Sequence, residues 1–439
     1  MHGLADAVAC AEFRESAAEN HRQRPVQSRA AYYTAAMDEI ATPLPEHLDR
    51  PHIRNFQPLG MHQEGQQPVV MLRDPSMLAP QTMGVQPHVL PLILQFQGRE
   101  SLAELETRTK APMHVLREIV TRMDELGLLW GPRFEELEKI AKAKVTEAGH
   151  FPATCTQSLG ADAHKAAEKI AEWMSQAEDP EIDGSILGVV APHLDYERGW
   201  HNYAAAYKAL NADNRPDRVV ILGTNHFGIG DGVVLSEFGF ATPMGVMPAD
   251  MASLKFLEES LGKKRMYADQ MDFLGEHSIQ LHLPWLQHLY GDVPVIAALV
   301  PDPIRPVSED GERASTAEFV HALKLALDEL GGRTLFIASS DLSHVGPQFG
   351  DNGPVNDQVA AQVDQLDRER LRLFCAGDAK NFEAPFIAQG NVSRWCSLGN
   401  MGTLLRLASP RLVEMIDYKQ VRETNGGSLV SCAALALVH

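Results

Sequence analysis

Four short apolar runs without polar alternation mark the second half of the chain: ILGVVAPH (186–193), DRVVILGTNH (217–226), VPVIAALVP (293–301) and RTLFIASSDLSH (333–344). Unbroken runs of this kind suit strands covered on both faces. Between them lie stretches of helical period at 200–210, 247–261, 276–289, 312–330 and 355–375. Alternating strand and helix predicts an α/β domain with a central, largely parallel or mixed sheet flanked by helices. RLVEMIDYKQV (411–421) and SLVSCAALALV (428–438) add two strands, antiparallel at the end.

The front of the chain reads differently. Residues 1–40 hold no lasting hydrophobic period and are expected to be a disordered extension, with Met37 as an alternative start. Pro43, Pro45, Pro51, Pro58 and Pro68 make the next stretch extended. VVMLRD (69–74) is a short strand, and 87–98 holds a helix or strand ending at Gly98. Ser101 caps SLAELETRTK, with Glu104 at the capping-box position. Pro112 opens a second helix in which Val115, Ile119, Met123 and Leu126 recur at helical spacing. Gly127 ends it, and Leu-Leu-Trp follows as a strand or wing. The predicted organisation is a small winged-helix-like α/β module over 41–145, a helical linker over 146–183 and the main α/β domain over 184–439.

Composition narrows the partners. A chain of 439 residues with 44% hydrophobic and 22% charged residues excludes wholesale disorder and allows two or three domains. Lys and Arg number 39 against 58 Asp and Glu, a formal charge of −19. That sign disfavours nucleic acid and acidic membrane surfaces. Residues 101–145 hold eight basic and eight acidic residues, so the front module reads as a protein- or peptide-contacting unit and not as a DNA reader. No apolar run is long enough to span a membrane, and the N-terminus lacks the apolar core of a secretory signal. Five scattered cysteines then read as reduced thiols in a cytoplasm.

The chemistry concentrates at strand ends. Three of the four apolar runs end in a small turn and a histidine: His193, His226 and His344. Ligands bind at the carboxyl ends of strands in open α/β sheets, so the three can converge in one cleft. One such histidine usually just bonds a loop; three at equivalent ends point to a site. Glu276-His277-Ser278 opens a helix at which a negative group is welcome. His282 and His288 read as packing or surface residues. Cys396 stands at the start of a helix through Leu407, where a thiol is a good soft ligand or nucleophile. Cys375 and Cys432 read as buried free cysteines.

The segments APHLDYERGWHNYAAAY, LGTNHFG, EHSIQLHLPWLQ, SSDLSHVG and WCSLGNMGTLL resemble, in order and spacing, those of the Memo family, known in bacteria as AmmeMemoRadiSam system protein B. The resemblance covers 184–439. It implies a fold like that of class III extradiol ring-cleaving dioxygenases, whose iron is held by two histidines and a carboxylate. It places metal ligands at His193, His226 and Cys396, the cysteine replacing the carboxylate, and an acid–base group at His344. His277 then reads as a second catalytic residue, in contact with substrate or with an oxygen behind the metal ligands. Asp195, Asn225 and Asp341 become candidates for orienting the metal-bound imidazoles. The implied cofactor is a divalent metal, iron before copper or zinc, acting on an unidentified small molecule. AMMECR1-type and radical SAM proteins are the implied partners. Two functions stay open at this point: a metal-dependent oxidoreductase, and a non-catalytic binding or interaction module on the same scaffold. A thiol switch at Cys396 is a third, for which no resolving thiol lies close in sequence.

Overall fold

A computed structural model of the protein describes residues 43–54, 56–64, 67–79, 81–228, 231–304 and 311–439. The expectations for residues 1–40, with Cys10 and the alternative start, lie outside the described residues.

After the short helix Glu46–Asp49, the front module forms a three-stranded antiparallel sheet, β1 (Gln57–Glu64), β2 (Gln67–Arg73) and β3 (Met83–Val85), in that order. The helices Leu102–Thr109 and Met113–Glu125 follow, the first with the expected Ser101/Glu104 capping box. Their core is Leu102, Leu105, Leu116, Ile119, Val120 and Met123, packed with Leu72 and Phe96. The hairpin thus precedes the helix pair. Where a wing was expected, Leu129 makes one bridge to Ile53 and the chain passes straight into the helix Pro132–Ala148.

The main body contains β4 (His150–Phe151), β5 (Ile186–Ala191), β6 (Arg218–Thr224), β7 (Val234–Leu235) and β8 (Gly239–Thr242). It continues with β9 (Gly245–Met247), β10 (Val295–Val300), β11 (Thr334–Ser339), β12 (Asp341–Val345), β13 (Leu412–Arg422) and β14 (Leu429–Val438). The central mixed sheet runs β12-β14-β5-β11-β6-β10-β7, with β13 along β14. β5, β11, β6 and β10 are parallel neighbours, and β13 and β14 form the expected antiparallel pair. β14 serves two strands along one edge: Leu429–Cys432 pairs with β12 and Leu435–Val438 with β5.

Two apolar cores explain why the strands read as unbroken runs. Val189, Val219, Ile221, Ala297 and Ile337 face one core; Val190, Val220, Leu222, Ala298 and Ala338 face the other. Alternate residues of each strand therefore bury against helices on opposite faces. The helix Tyr196–Lys208 covers the first face with Ala163–Gln176 packed against it, and Leu398–Ala408 lies against β11, β6 and β5 on the second.

The stretch 146–183 is more than a linker. Phe151, Ala166, Ile170 and Trp173 are all buried in the first core, because the helix Ala163–Gln176 carries an apolar stripe at i, i+4 and i+7. The helix expected over 276–289 is two pieces, His277–Gln280 and Leu283–Tyr290, since Pro284 sits at the start of the second.

Trp285 is fully buried, with ring centroids 5.7 Å from Trp173, 5.4 Å from Tyr203 and 5.6 Å from Tyr207. Its truncation opens a cavity in the middle of the first core. Trp285→Ala is expected to lose about 3–5 kcal/mol in urea unfolding of the metal-free protein; a loss under about 1 kcal/mol would mean this cluster is not the support described.

Candidate metal centre

The parallel pairing sets β5, β11 and β6 side by side with their carboxyl ends flush: Ser339 pairs with Ala191, and Ala338 with Leu222. The turns that follow deliver His193, Asp341 and His226 to one cleft of about 1090 Å³. His277, His344, Asp195, Asn225 and Cys396 also line it, so every candidate from the sequence reaches this cavity.

Cys396 is the centre of the cluster. Its Sγ lies 3.0 Å from His226 Nε2 and 3.4 Å from His193 Nε2. The three donor atoms lie within 4.8 Å of one another, a spacing that suits a shared metal ion. Cys396 stands just ahead of the helix Leu398–Ala408, and its N–H donates to Leu342 O at 3.2 Å, tying it to β12. Gly399 is required here: a Cβ would stand 2.2 Å from Pro301 O.

Each imidazole is held by its far nitrogen. Glu276, fully buried at the N-cap of His277–Gln280, places Oε1 3.0 Å from His226 Nδ1 and accepts the His226 backbone N–H at 2.9 Å through Oε2. It also accepts the Ser278 N–H at 2.8 Å. This carboxylate accepts the Nδ1–H and turns Nε2 toward Cys396 Sγ, so that the Nε2 proton is the one a metal ion would replace. Burial alone would depress the His226 imidazolium, but Glu276 and Cys396 outweigh it and raise its pKa. Burial likewise opposes the Glu276 charge, and His226 overrides it, so that carboxyl sits below its ordinary range.

His193 is buried, with Nδ1 3.1 Å from Ser339 Oγ. Its N–H donates to Asp341 Oδ1 at 3.0 Å, and Asp341 Oδ2 lies 3.7 Å from Nε2. Burial pushes Asp341 up to about 7.

Asn225 donates to Asp272 Oδ2 at 2.7 Å and accepts the Gly228 N–H, shaping the turn rather than touching the His226 ring. Asp195 caps the helix Tyr196–Lys208 and pairs with Arg198 at 2.5 Å. The support of His226 by Glu276 and of His193 by Ser339 was not read from the sequence. The signal for Glu276 was its place at a helix start; its partner lies 50 residues away.

His344 Nδ1 lies 3.0 Å from Leu342 O, and burial, the largest cause, lowers its pKa to about 4. It is therefore neutral near pH 7, with Nδ1–H donated to the carbonyl and the Nε2 lone pair available to take a proton. His277 stacks on His226 with centroids 4.5 Å apart and stands edge-on to His193 at 5.3 Å. Burial lowers it to about 4 as well.

The model of the family described as Memo-like protein matches residues 152–436. The chain belongs to the Memo family. A MEMO1 family protein of Aquifex aeolicus is 24% identical over 83% of this chain and 95% of its own. One from Pyrobaculum aerophilum is 33% identical over 38% of this chain and 57% of its own, and one from Methanopyrus kandleri 33% identical over 45% and 69%. A solved structure of an uncharacterised protein from Escherichia coli K12 aligns at 14% identity with a TM-score of 0.32, covering 57% of this chain and 99% of that one. The Memo model starts at residue 152, which takes the helix Ala163–Gln176 into the family domain and leaves the front module outside it. Among the described residues no helix is long and apolar enough to cross a membrane.

Away from the donor set, His282 offers a clean test of burial. It is fully buried with Nδ1 2.9 Å from the Tyr207 hydroxyl, and burial lowers its pKa to about 3. Between pH 6.5 and 3 the unfolded chain binds a proton here that the folded chain refuses, so this group removes stability as pH falls. Asp341 and Asp272, both raised to about 7 by burial, act in the opposite sense between pH 4 and 7, so the comparison must be between variants. In metal-free protein, His282→Gln is expected to make the loss of stability between pH 6 and 4 shallower by about 1.4 kcal/mol per pH unit. Parallel curves for the two proteins would show that His282 titrates normally.

Proposed function

We propose that this Memo-family protein binds a divalent metal, iron before copper or zinc, through His193, His226 and Cys396 and acts as an oxidoreductase on a small molecule in the cleft. The observation that carries this reading is the Sγ atom facing two Nε2 atoms whose rings are already held from behind. The donor set fits such an ion: imidazole and thiolate together suit iron, copper and zinc. Two neutral imidazoles and one thiolate leave a positive charge on a divalent ion, and with it Lewis acidity and an open position. The chain's own residues do the rest. Glu276 and Ser339 keep both ligand rings oriented. His344 uses the Nε2 lone pair of its neutral ring to accept a proton, and the imidazolium so formed gives that same proton back. Trp395 and Phe349 line the cleft with apolar surface, and Arg394 lies at it, donating from Nε to His344 O at 2.9 Å.

A second reading rests on His277. Its ring lies against both ligand imidazoles, and a fourth donor would close the site in the manner of structural or storage metals. Metal analysis of anaerobically purified protein separates these readings. The proposal expects about one metal per chain in the wild type and in His277→Ala, and a loss of at least tenfold in metal content for Cys396→Ala. Equal metal in wild type and Cys396→Ala removes Cys396 from the site. Loss of metal in His277→Ala favours the closed, non-catalytic reading. The shared pathway with AMMECR1-type and radical SAM proteins belongs to the same proposal, with the front module as the docking unit; capture of such a partner by the full chain, lost on exchange of charge along the exposed face of Met113–Glu125, supports it.

A further inference from the structure

Glu276 holds His226, and the segment that carries Glu276 is gripped from outside by the front module. Asp74 is buried and accepts the N–H groups of Ser76, Leu78 and Ala79, folding 74–79 into a compact loop. Arg54, also buried, braces that loop: it donates to Ser76 Oγ at 3.1 Å, lies 3.5 Å from Asp74 Oδ1, and donates to Gly127 O at 2.6 Å. Its guanidinium rests 3.9 Å from the centre of the Phe134 ring. The loop presses on Gly275, the residue directly before Glu276. A Cβ at Gly275 would stand 2.3 Å from Pro75 O and 3.4 Å from Met77 Cγ. Leu78 packs into the first core of the main domain. Asp272, which receives Asn225, lies within the field of Arg54, and the helix Pro132–Ala148 packs on Gln270–Leu274.

The other side of this segment is fixed to the main domain. Thr154 Oγ1 donates to Leu274 O at 2.9 Å, and the Thr154 and Cys155 N–H groups donate to Gln280 Oε1. Gly275–Glu276 is therefore held between a main-domain clasp and a front-module loop. An outer partner that orients a ligand sets the ligand's basicity as well as its place. The Memo model ends its match short of the front module, yet the Aquifex alignment spans more of this chain than follows residue 152, so it extends into that module.

We propose that the front module is a positioning element for the metal centre: Arg54 and the loop Asp74–Ala79 set Glu276, and through it the orientation of His226. The proposal rests on His226 being a ligand, but its first readout does not need a metal.

The test uses the full chain. In metal-free wild type, proton NMR is expected to show a downfield, exchange-protected His226 Nδ1–H resonance, assigned by its loss in Glu276→Gln. Gly275→Ala pushes the loop and the segment apart, and Arg54→Ala releases the loop; both are expected to shift or broaden that resonance while the Trp indole signals of the main core stay in place. Arg54→Lys, which keeps the charge but not the fork, is expected to restore it in part. Zinc titration is then expected to show affinity about tenfold weaker in Gly275→Ala and Arg54→Ala, the low end of the cost of losing an outer partner. Lowered melting temperatures with an unmoved His226 resonance in both variants would reduce the module to a structural role and overturn the proposal. A moved resonance with no zinc binding even in wild type would leave the positioning in place and overturn the metal reading instead.

Discussion

The parallel pairing of β5, β11 and β6 is the constraint on which the rest depends. Three strands from distant parts of the chain end at the same level, so three short turns open into one cleft. Each strand is fixed by burial on both faces, and a slip by one residue would exchange the two cores. The position of His193 relative to His226 is thus set by the register of the sheet. Cys396 enters from outside it, at the start of a helix that packs across the same three strands.

A buried polar site must be satisfied at its outer atoms before it can offer its inner ones. Glu276 is fully enclosed, and its two oxygens share a backbone N–H, a ring nitrogen and the Ser278 N–H. Asp367 plays a comparable part behind the Cys396 turn. It is buried and accepts from Ser343, Ser431, the Trp395 indole and the Tyr418 hydroxyl. Those donors come from β12, β14, β13 and the loop that carries Cys396. A carboxylate with that many donors stays in place, and the residues beside it stay with it.

Much of this was legible in the sequence because it is local. The unbroken apolar runs, the histidines that close them, the capping box at Ser101 and the apolar terminal strand around Cys432 are all written within a few residues of each other. What was hidden is long-range. Glu276 reaches His226 across 50 residues, and the Arg54 brace reaches Ser76 across 22. The stretch 146–183 reads as a helical linker, yet Trp173 gives the helix Ala163–Gln176 a place in the ring stack. Asp195, two residues after His193, reads as a partner of that ring, whereas in the turn it caps the next helix and pairs with Arg198. The apolar period runs unbroken over 276–289, and Pro284 divides it into two helices.

In the proposed centre Cys396, His193 and His226 share one ion. X-ray absorption at the zinc edge of stoichiometrically loaded protein tests it most directly. One sulfur at about 2.3 Å and at least two nitrogens at about 2.0–2.1 Å are expected, with the sulfur shell gone in Cys396→Ala. A wild-type spectrum with nitrogen and oxygen alone would contradict it.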